Sequence, residues 1–204
     1  GEGGGVRLGK ELADFLTINT SYQLFRTEIS DVATEASADL KAEEGRSAVS
    51  VAGLSVSADR RNSRFDPTSG LYVFTSGDLA GGVLGADENF YRLQGGAIAF
   101  APHGGGMFVF ESRLRAGIVN EYDNTSDVPI FERFFAGGSN TVRGFRERRV
   151  GPIDPSTNDP IGGEAMLVGT LEEVLTIIKD ERGRSILRGS AFLSPYCASK
   201  GGVV

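Results

Sequence analysis

Long segments in which apolar and polar side chains alternate restrict the fold of this chain more than any other feature. Between residues 106 and 121, one face carries the apolar side chains of Phe108, Phe110, Leu114, Ala116 and Ile118. The other face carries the charged side chains of Glu111, Arg113, Arg115 and Glu121. Because successive side chains of a β-strand point to opposite faces, this period of two predicts a strand rather than a helix.

The same alternation predicts a series of strands, and several of them are longer than ten residues. The predicted strands cover residues 6–11, 15–27, 47–59, 71–81, 90–101, 106–121, 163–177 and 185–193. Strands of soluble globular proteins usually have about 5–6 residues. A solvated sheet surface and a water-filled lumen both explain a polar face. The length favours an all-β fold, an antiparallel transmembrane β-barrel of the outer-membrane type, whose strands need about 9–11 residues.

Composition excludes several other classes of protein. No apolar run among the 204 residues approaches the ~18 residues of a membrane-spanning helix. The 27 acidic residues outnumber the 21 basic ones, and the net charge of −6 disfavours a nucleic-acid-binding surface. The single Cys cannot form an internal disulfide, so a disulfide-stapled scaffold is excluded as well.

The connections between the predicted strands alternate in character. Those at residues 11–14, 61–69, 102–105 and 179–183 are short or turn-like, and those at 29–46, 82–89 and 122–161 lie between them. Short turns at one rim and longer loops at the other are typical of outer-membrane barrels. Within the first long loop, residues 36–44 suggest a helical turn. The last loop has about forty residues, too many for a simple link, so the function should be sought there.

No residue pattern predicts catalysis, a cofactor or a metal site. A glycine-rich start that ends in Gly9 and Lys10 resembles a phosphate-binding loop, but Glu11 stands where that motif needs Ser or Thr. His103 is the only histidine, and its glycine-rich surroundings predict a solvated turn residue. Cys197 has no base beside it in the sequence. We therefore expect a protein that is not an enzyme.

A tight turn is predicted between the third and fourth strands. Asp66 and Pro67 begin it, and Gly70 ends it. Proline presets φ and glycine permits positive φ, which suits a sharp reversal of the chain. Residues 59–62 precede the turn and complete a short charged cassette.

The long loop contains the most specific stretch of the chain, residues 131–145. It surrounds Arg143 with four aromatic side chains, those of Phe131, Phe134, Phe135 and Phe145. An exposed loop rarely carries so many aromatic groups, so we expect the lumen of a barrel to bury them. A partly desolvated arginine needs a carboxylate partner, and the planar guanidinium suits such a clamp.

This stretch resembles the lid-loop signature of the bacterial surface antigen family, the BamA-type outer-membrane assembly factors. The family's hallmark is a tetrad after a glycine pair, seen here as Val142, Arg143, Gly144 and Phe145 after Gly137 and Gly138. The cassette at 59–70 is similar to the family's turn, and the glycines at 151 and 162–163 are similar to its loop exit. The resemblance covers roughly residues 6–193.

The resemblance implies a barrel of roughly sixteen strands with the lid loop folded into its lumen. This chain is expected to hold about half of it, a partial barrel of about eight strands over residues 1–193 that includes the lid loop 122–161. Residues 194–204 depart from the family's pattern as a divergent C-terminal tail. In the family the arginine of the tetrad contacts acidic groups of the wall, which here are offered by Glu164 and Glu172. We therefore expect a pair between Arg143 and Glu172.

The resemblance also implies a function without enzyme chemistry. The chain is expected to lie in the bacterial outer membrane and to assemble and insert outer-membrane proteins by offering strand edges to a client. The implied partners are the outer-membrane lipid bilayer, unfolded outer-membrane protein clients, and periplasmic or lipoprotein accessory subunits. No cofactor and no nucleic acid are implied. Two alternatives stay open: a two-partner secretion translocator of the same superfamily, and a soluble β-sandwich binding module.

Overall fold

The computed structural model describes residues 2–29, 41, 44–85, 87–123, 125, 127–175, 190–199 and 202–203. In these residues, nine strands form one sheet, and each strand pairs antiparallel with the next along the chain. The strands are β1 Glu2–Ala13, β2 Leu16–Ile29, β3 Gly45–Asp59, β4 Gly70–Ala80, β5 Phe90–His103, β6 Phe108–Glu121, β7 Ala165–Leu175, β8 Ser190–Ser199 and β9 Gly202–Val203. The predicted all-β antiparallel fold is confirmed, and the sheet is open over the described strands.

The apolar face of this sheet is the exposed one. In β6, Leu114 is 52% exposed, whereas Glu111 on the opposite face is 7% exposed. Other exposed apolar side chains lie on the same face as Leu114, among them Leu24, Leu54, Leu71, Leu79, Leu93, Ile118, Leu167 and Leu171. We call this the outer face and the polar one the inner face. An outward apolar band with a polar interior is the arrangement of a membrane barrel wall.

A soluble β-sandwich is contradicted by this arrangement. Such a fold packs a second sheet against the apolar face of the first. The described strands form a single sheet, and its apolar face is uncovered. Among the residues that the structure describes, no helix is both long and apolar enough to cross a membrane.

The ends of several strands differ from the prediction. β1 begins at Glu2, four residues before its predicted start, because the glycine-rich segment pairs with β2 through its backbone. β8 runs to Ser199, so strand structure continues beyond residue 193 into the predicted tail. Pro195 lies where the register shifts opposite Thr170, a position where a missing N–H costs no ladder hydrogen bond. Backbone pairing with a neighbour extends strands beyond what local sequence indicates.

The antiparallel order places the connections alternately at two rims. One rim carries the turns at 14–15, 60–69 and 104–107, and the opposite rim carries the connection between β4 and β5 and the long one between β6 and β7. The predicted turns at 36–44 and 179–183 and the predicted strand residues 185–189 lie outside the described residues, apart from residues 41 and 44.

Candidate functional site

The lid loop 122–161 folds back over the inner face of the sheet. Val128 near its start is fully buried with Val49 of β3, Phe90 of β5 and Val119 of β6. Farther along, the ring of Phe134 packs against the same cluster. The first part of the loop is therefore held on the wall by apolar packing, which stabilises it by about 1.5–3 kcal/mol for each fully buried large side chain.

Arg133 ties the two arms of the lid loop together. Its Nε donates to the carbonyl oxygen of Val128 at 2.9 Å, and its Nη1 donates to the carbonyl oxygen of Ile161 at 3.3 Å. Beside it, the backbone groups of Phe134 and Gly163 exchange two hydrogen bonds of 2.8 and 2.9 Å. Because the arms are joined to each other, the loop behaves as one body that docks on the wall.

Val142, the first residue of the tetrad, fixes the tip of the loop. It is buried in a cluster with Ala136 and Val150 of the loop and Val168 of β7. Val168 points to the inner face, because its neighbour Leu167 is on the outer face. The cluster therefore attaches the tip to β7.

Gly137 and Gly138 form the bend that precedes the tetrad. Their φ angles are 109° and 88°. A Cβ on Gly137 would lie 2.3 Å from the carbonyl oxygen of Arg146, so a side chain at this position would force the bend open. Gly144 inside the tetrad has a φ of 88° and open space around it.

Arg143 lies against Glu172 of β7. Its Nη1 is 3.0 Å from Glu172 Oε1, and its Nε donates to the carbonyl oxygen of Ser139 at 3.5 Å. The side chain of Glu172 is 8% exposed and that of Arg143 is 46% exposed. A buried carboxylate without a partner is strongly destabilising, so the lid loop supplies the charge that Glu172 needs.

A second buried carboxylate stands beside Glu172. Glu111 of β6 is its direct cross-strand partner. Like charges directly opposite each other destabilise a sheet. Arg113 pairs with Glu111, so one arginine of the wall and one arginine of the lid loop balance the two carboxylates. When the lid leaves, this part of the wall loses the positive charge of Arg143.

A further ionic contact joins the lid loop to the wall at its other end. Glu132 Oε2 lies 2.5 Å from Arg92 Nη1 of β5. Arg92 also donates from Nε and Nη2 to Asp78 Oδ2 of β4, at 3.2 and 3.1 Å. The three side chains line a cavity of about 460 Å³ between the wall and the loop.

The four phenylalanines of the loop are not all buried. Phe134 and Phe135 are half-buried, and the Arg148 guanidinium lies 4.0 Å from the centre of the Phe135 ring. Phe131 is 36% exposed and Phe145 is 53% exposed, so the expected burial is wrong for these two. The loop presents one side to the wall, and Val142 and Arg143 occupy that side at the tip.

Glu164 lies at the other end of β7 from Glu172. Its carbonyl oxygen accepts a hydrogen bond of 2.7 Å from the Val119 N–H. Eight residues of extended chain, about 26 Å, separate it from Glu172. Arg143 in contact with Glu172 is therefore beyond the reach of Glu164, whose role as a wall partner stays a prediction.

The turn at 60–69 is organised by Asn62. Its Oδ1 accepts hydrogen bonds from the backbone N–H groups of Thr68 and Ser69, at 3.0 and 3.1 Å, and its Nδ2 donates to Thr68 Oγ1 at 2.7 Å. Gly70 has a φ of 108°, and a Cβ there would lie 2.2 Å from the carbonyl oxygen of Arg60. Asp66 and Pro67 lie within this turn, and the Asp66 N–H donates to Ser63 Oγ at 3.1 Å.

We expect Asn62→Ala to destabilise this turn by about 1–2 kcal/mol, because three hydrogen bonds are lost with the side chain. The matched control is Asp66→Ala, which removes an exposed carboxylate from the same turn and should change stability by less than about 0.5 kcal/mol. Deuterium uptake across residues 60–69 measures the effect. Equal uptake in the two variants would show that Asn62 does not organise the turn.

His103 is not the solvated turn residue that its glycine-rich surroundings predict. Its Nε2 is 2.9 Å from Glu173 Oε1, and its ring stacks on Phe108 and Phe110 with centroids 5.4 and 4.7 Å apart. Because β5 extends to residue 103, the imidazole lies over β6 rather than in the turn. Among the described residues, no cluster of His, Cys, Asp and Glu side chains could hold a metal ion. The side chain of Cys197 lies outside the description.

Sequence reasoning missed four residues of this site, namely Asp78, Arg92, Gly117 and Glu132. Gly117 carries a usable signal, since an isolated glycine in a strand pattern indicates close approach of another chain segment. A Cβ there would lie 2.5 Å from the Phe134 ring. Nothing in the sequence indicates the contact between Arg92 and Glu132, because the two residues are 40 positions apart in the chain.

Comparison with known proteins gives a consistent set of relatives. Residues 1–194 match the Omp85 superfamily domain. The outer membrane protein assembly factor BamA of Nitratidesulfovibrio vulgaris is 31% identical over 185 residues, which are 89% of this chain and 23% of that protein. A SAM50-like protein of Schizosaccharomyces pombe is 29% identical over 161 residues, which are 78% of this chain and 33% of that protein. The chain thus spans about a quarter to a third of the length of these relatives.

A solved structure shows the same fold. The crystal structure of BamA from Haemophilus ducreyi lacking POTRA domains 1–3 matches with a TM-score of 0.70 at 20% identity, over 89% of this chain and 38% of that one. The predicted partial barrel and the resemblance to the BamA-type family are therefore confirmed, and the named relatives are assembly factors and SAM50-like proteins. Since the family domain matches nearly the whole sequence, the chain belongs to the Omp85 superfamily.

Proposed function

We propose that this chain is the membrane part of a factor that assembles and inserts β-barrel proteins in the bacterial outer membrane. One observation carries the proposal. The tetrad of the lid loop docks on the inner wall through Arg143 and Glu172, in a chain whose relatives are named outer membrane protein assembly factors. The exposed apolar face lies against lipid, and the polar face lines the lumen.

The mechanism needs no chemical step. A strand edge presents unpaired N–H and C=O groups, and an unfolded client can add to that edge as a further strand. The lid loop contacts β5 through Arg92, β6 through Gly117 and β7 through Glu172. By bridging three neighbouring strands, the docked loop holds the wall in one geometry while the sheet edge accepts the client.

The proposed partners follow from this activity. They are the lipid bilayer, unfolded outer-membrane protein clients, and periplasmic or lipoprotein accessory subunits. A two-partner secretion translocator is the alternative activity within the superfamily. The name of the matched BamA of Nitratidesulfovibrio vulgaris favours assembly, because that protein is an outer membrane protein assembly factor.

Reconstitution into lipid vesicles tests the proposal. We expect vesicles that contain the protein to accelerate the insertion of an unfolded small β-barrel client several-fold over empty vesicles. Insertion is measured by the heat-dependent gel mobility of the folded client and by its protection from added protease. Client that accumulates unfolded inside the vesicles would indicate a translocator instead, and rates equal to those of empty vesicles would contradict assembly.

A further inference from the structure

Arg92 is shared between two carboxylates that belong to different parts of the molecule. Asp78 lies on β4 and is the direct cross-strand partner of Arg92 on β5, so it is a fixed neighbour. Glu132 lies on the lid loop, so its position depends on docking. The two contacts use different atoms of the guanidinium, Nε and Nη2 for Asp78 and Nη1 for Glu132. Loss of the Glu132 contact therefore leaves the Asp78 contact intact.

The surroundings of this triad are polar. Besides the triad, the cavity of about 460 Å³ is lined by side chains that include Asn19, Ser21, Gln23, Ser76 and Gln94. Burial raises the pKa of Glu132, Arg92 opposes this, and the charge of Asp78 raises the pKa further. Asp78 therefore repels Glu132 while it holds the arginine that attracts it.

We propose that Glu132 is a releasable latch of the lid loop, which holds the loop on the wall through Arg92. We propose further that Asp78 lowers the free-energy cost of releasing it. When the lid undocks, Arg92 keeps Asp78 as its partner, so neither of these two wall residues is left with an unpaired charge. The contrast with Glu172 is direct, because that buried carboxylate loses Arg143 on undocking. This inference rests on the proposed function, in which the docked lid loop holds the wall during client insertion.

The latch and the tetrad are separate attachments of one body. Glu132 engages Arg92 of β5, whereas Arg143 engages Glu172 of β7. Arg133, next to Glu132 in sequence, joins the arms of the loop through Val128 and Ile161, so we expect a displacement at one attachment to affect the other. Glu132 is thus a positioning residue for the whole lid.

Hydrogen–deuterium exchange of the full chain in lipid vesicles tests the latch. We expect Glu132→Gln to speed exchange in residues 128–138 about tenfold, as for loss of one charge-assisted hydrogen bond. Asp78→Asn should slow the same exchange, because it removes the repulsion of Glu132 and leaves Arg92 without its resident carboxylate when the lid is away. Glu147→Gln, which alters an exposed glutamate of the same loop, is the matched control and should change nothing.

The opposite signs separate a latch from a merely structural ion pair. If Glu132→Gln and Asp78→Asn speed exchange alike, or if Glu132→Gln has no effect, the latch is overturned. Thermal unfolding of each variant shows whether the sheet itself is intact. The exchange measurement needs no client, so it distinguishes failure of the latch from failure of the proposed assembly function, which the insertion assay with the unaltered protein reports.

Discussion

Arg143→Ala is expected to detach the tip of the lid loop from β7 and to slow client insertion about tenfold or more. The substitution leaves Glu172 buried without a partner and directly opposite Glu111. Loss of a charge-assisted contact to a buried carboxylate costs about 2–3 kcal/mol, and each 1.4 kcal/mol is a factor of ten in a population. Deuterium exchange in residues 139–146 measures detachment, and the vesicle assay measures insertion.

Three further variants, Arg146→Ala, Glu172→Gln and the double variant, show whether the contact itself is responsible. Arg146→Ala removes an exposed arginine from the same loop and is expected to leave both readouts unchanged. In the double variant Arg143→Ala/Glu172→Gln, no uncompensated buried charge remains, so exchange should be slower than in Arg143→Ala alone. If the effects of the two single substitutions simply add, the residues act independently and the proposed role of the pair is wrong.

Gly117→Val is expected to displace the first part of the lid loop from the wall. A Cβ at residue 117 would lie 2.5 Å from the Phe134 ring, closer than atoms can pack. Overpacking of this kind costs about 1–3 kcal/mol, and here the movable neighbour is the loop rather than the sheet. We expect faster deuterium exchange in residues 128–136 and slower client insertion, with the thermal unfolding of the sheet little changed.

The matched control for this prediction is Gly169→Val on the adjacent strand β7. A Cβ at residue 169 would meet nothing within 4 Å, so the same substitution should be tolerated there. Phe134→Ala combined with Gly117→Val removes the clash and should restore part of the lid protection. Equal behaviour of the two valine variants would mean that strand glycines, and not contact with Phe134, account for the effect.

Strand structure is predictable in this chain because its signal is local. In β6, alternation over fourteen residues distinguishes the face of Leu114 from the face of Glu111 without reference to any other strand. The strand ends are less predictable, since the backbone pairing that adds residues 2–5 to β1 and continues β8 to Ser199 involves the neighbouring strands. The tetrad is a contiguous motif, so the resemblance to the family can be recognised from the amino-acid sequence alone.

The contacts of the lid loop with the wall could be identified only in the tertiary structure. Sequence alone puts Glu111 on the inner face and indicates Glu164 and Glu172 as wall carboxylates, but it does not set their distances from Arg143. Nor does it indicate that Glu132 meets Arg92 across 40 residues of chain, or that His103 reaches Glu173 over the outer face.

One physical reason explains why the faces of the strands are predictable from the sequence and the contacts of the lid loop are not. Which face a side chain occupies follows from the geometry of one strand and is written in the sequence with a period of two. Which partner it meets depends on the register of several strands and on where a forty-residue loop comes to rest, and these are set by long-range hydrogen bonds and packing. The sequence by itself thus determined an outer-membrane-type sheet with a family tetrad, and only the tertiary structure decided which wall residues hold the lid.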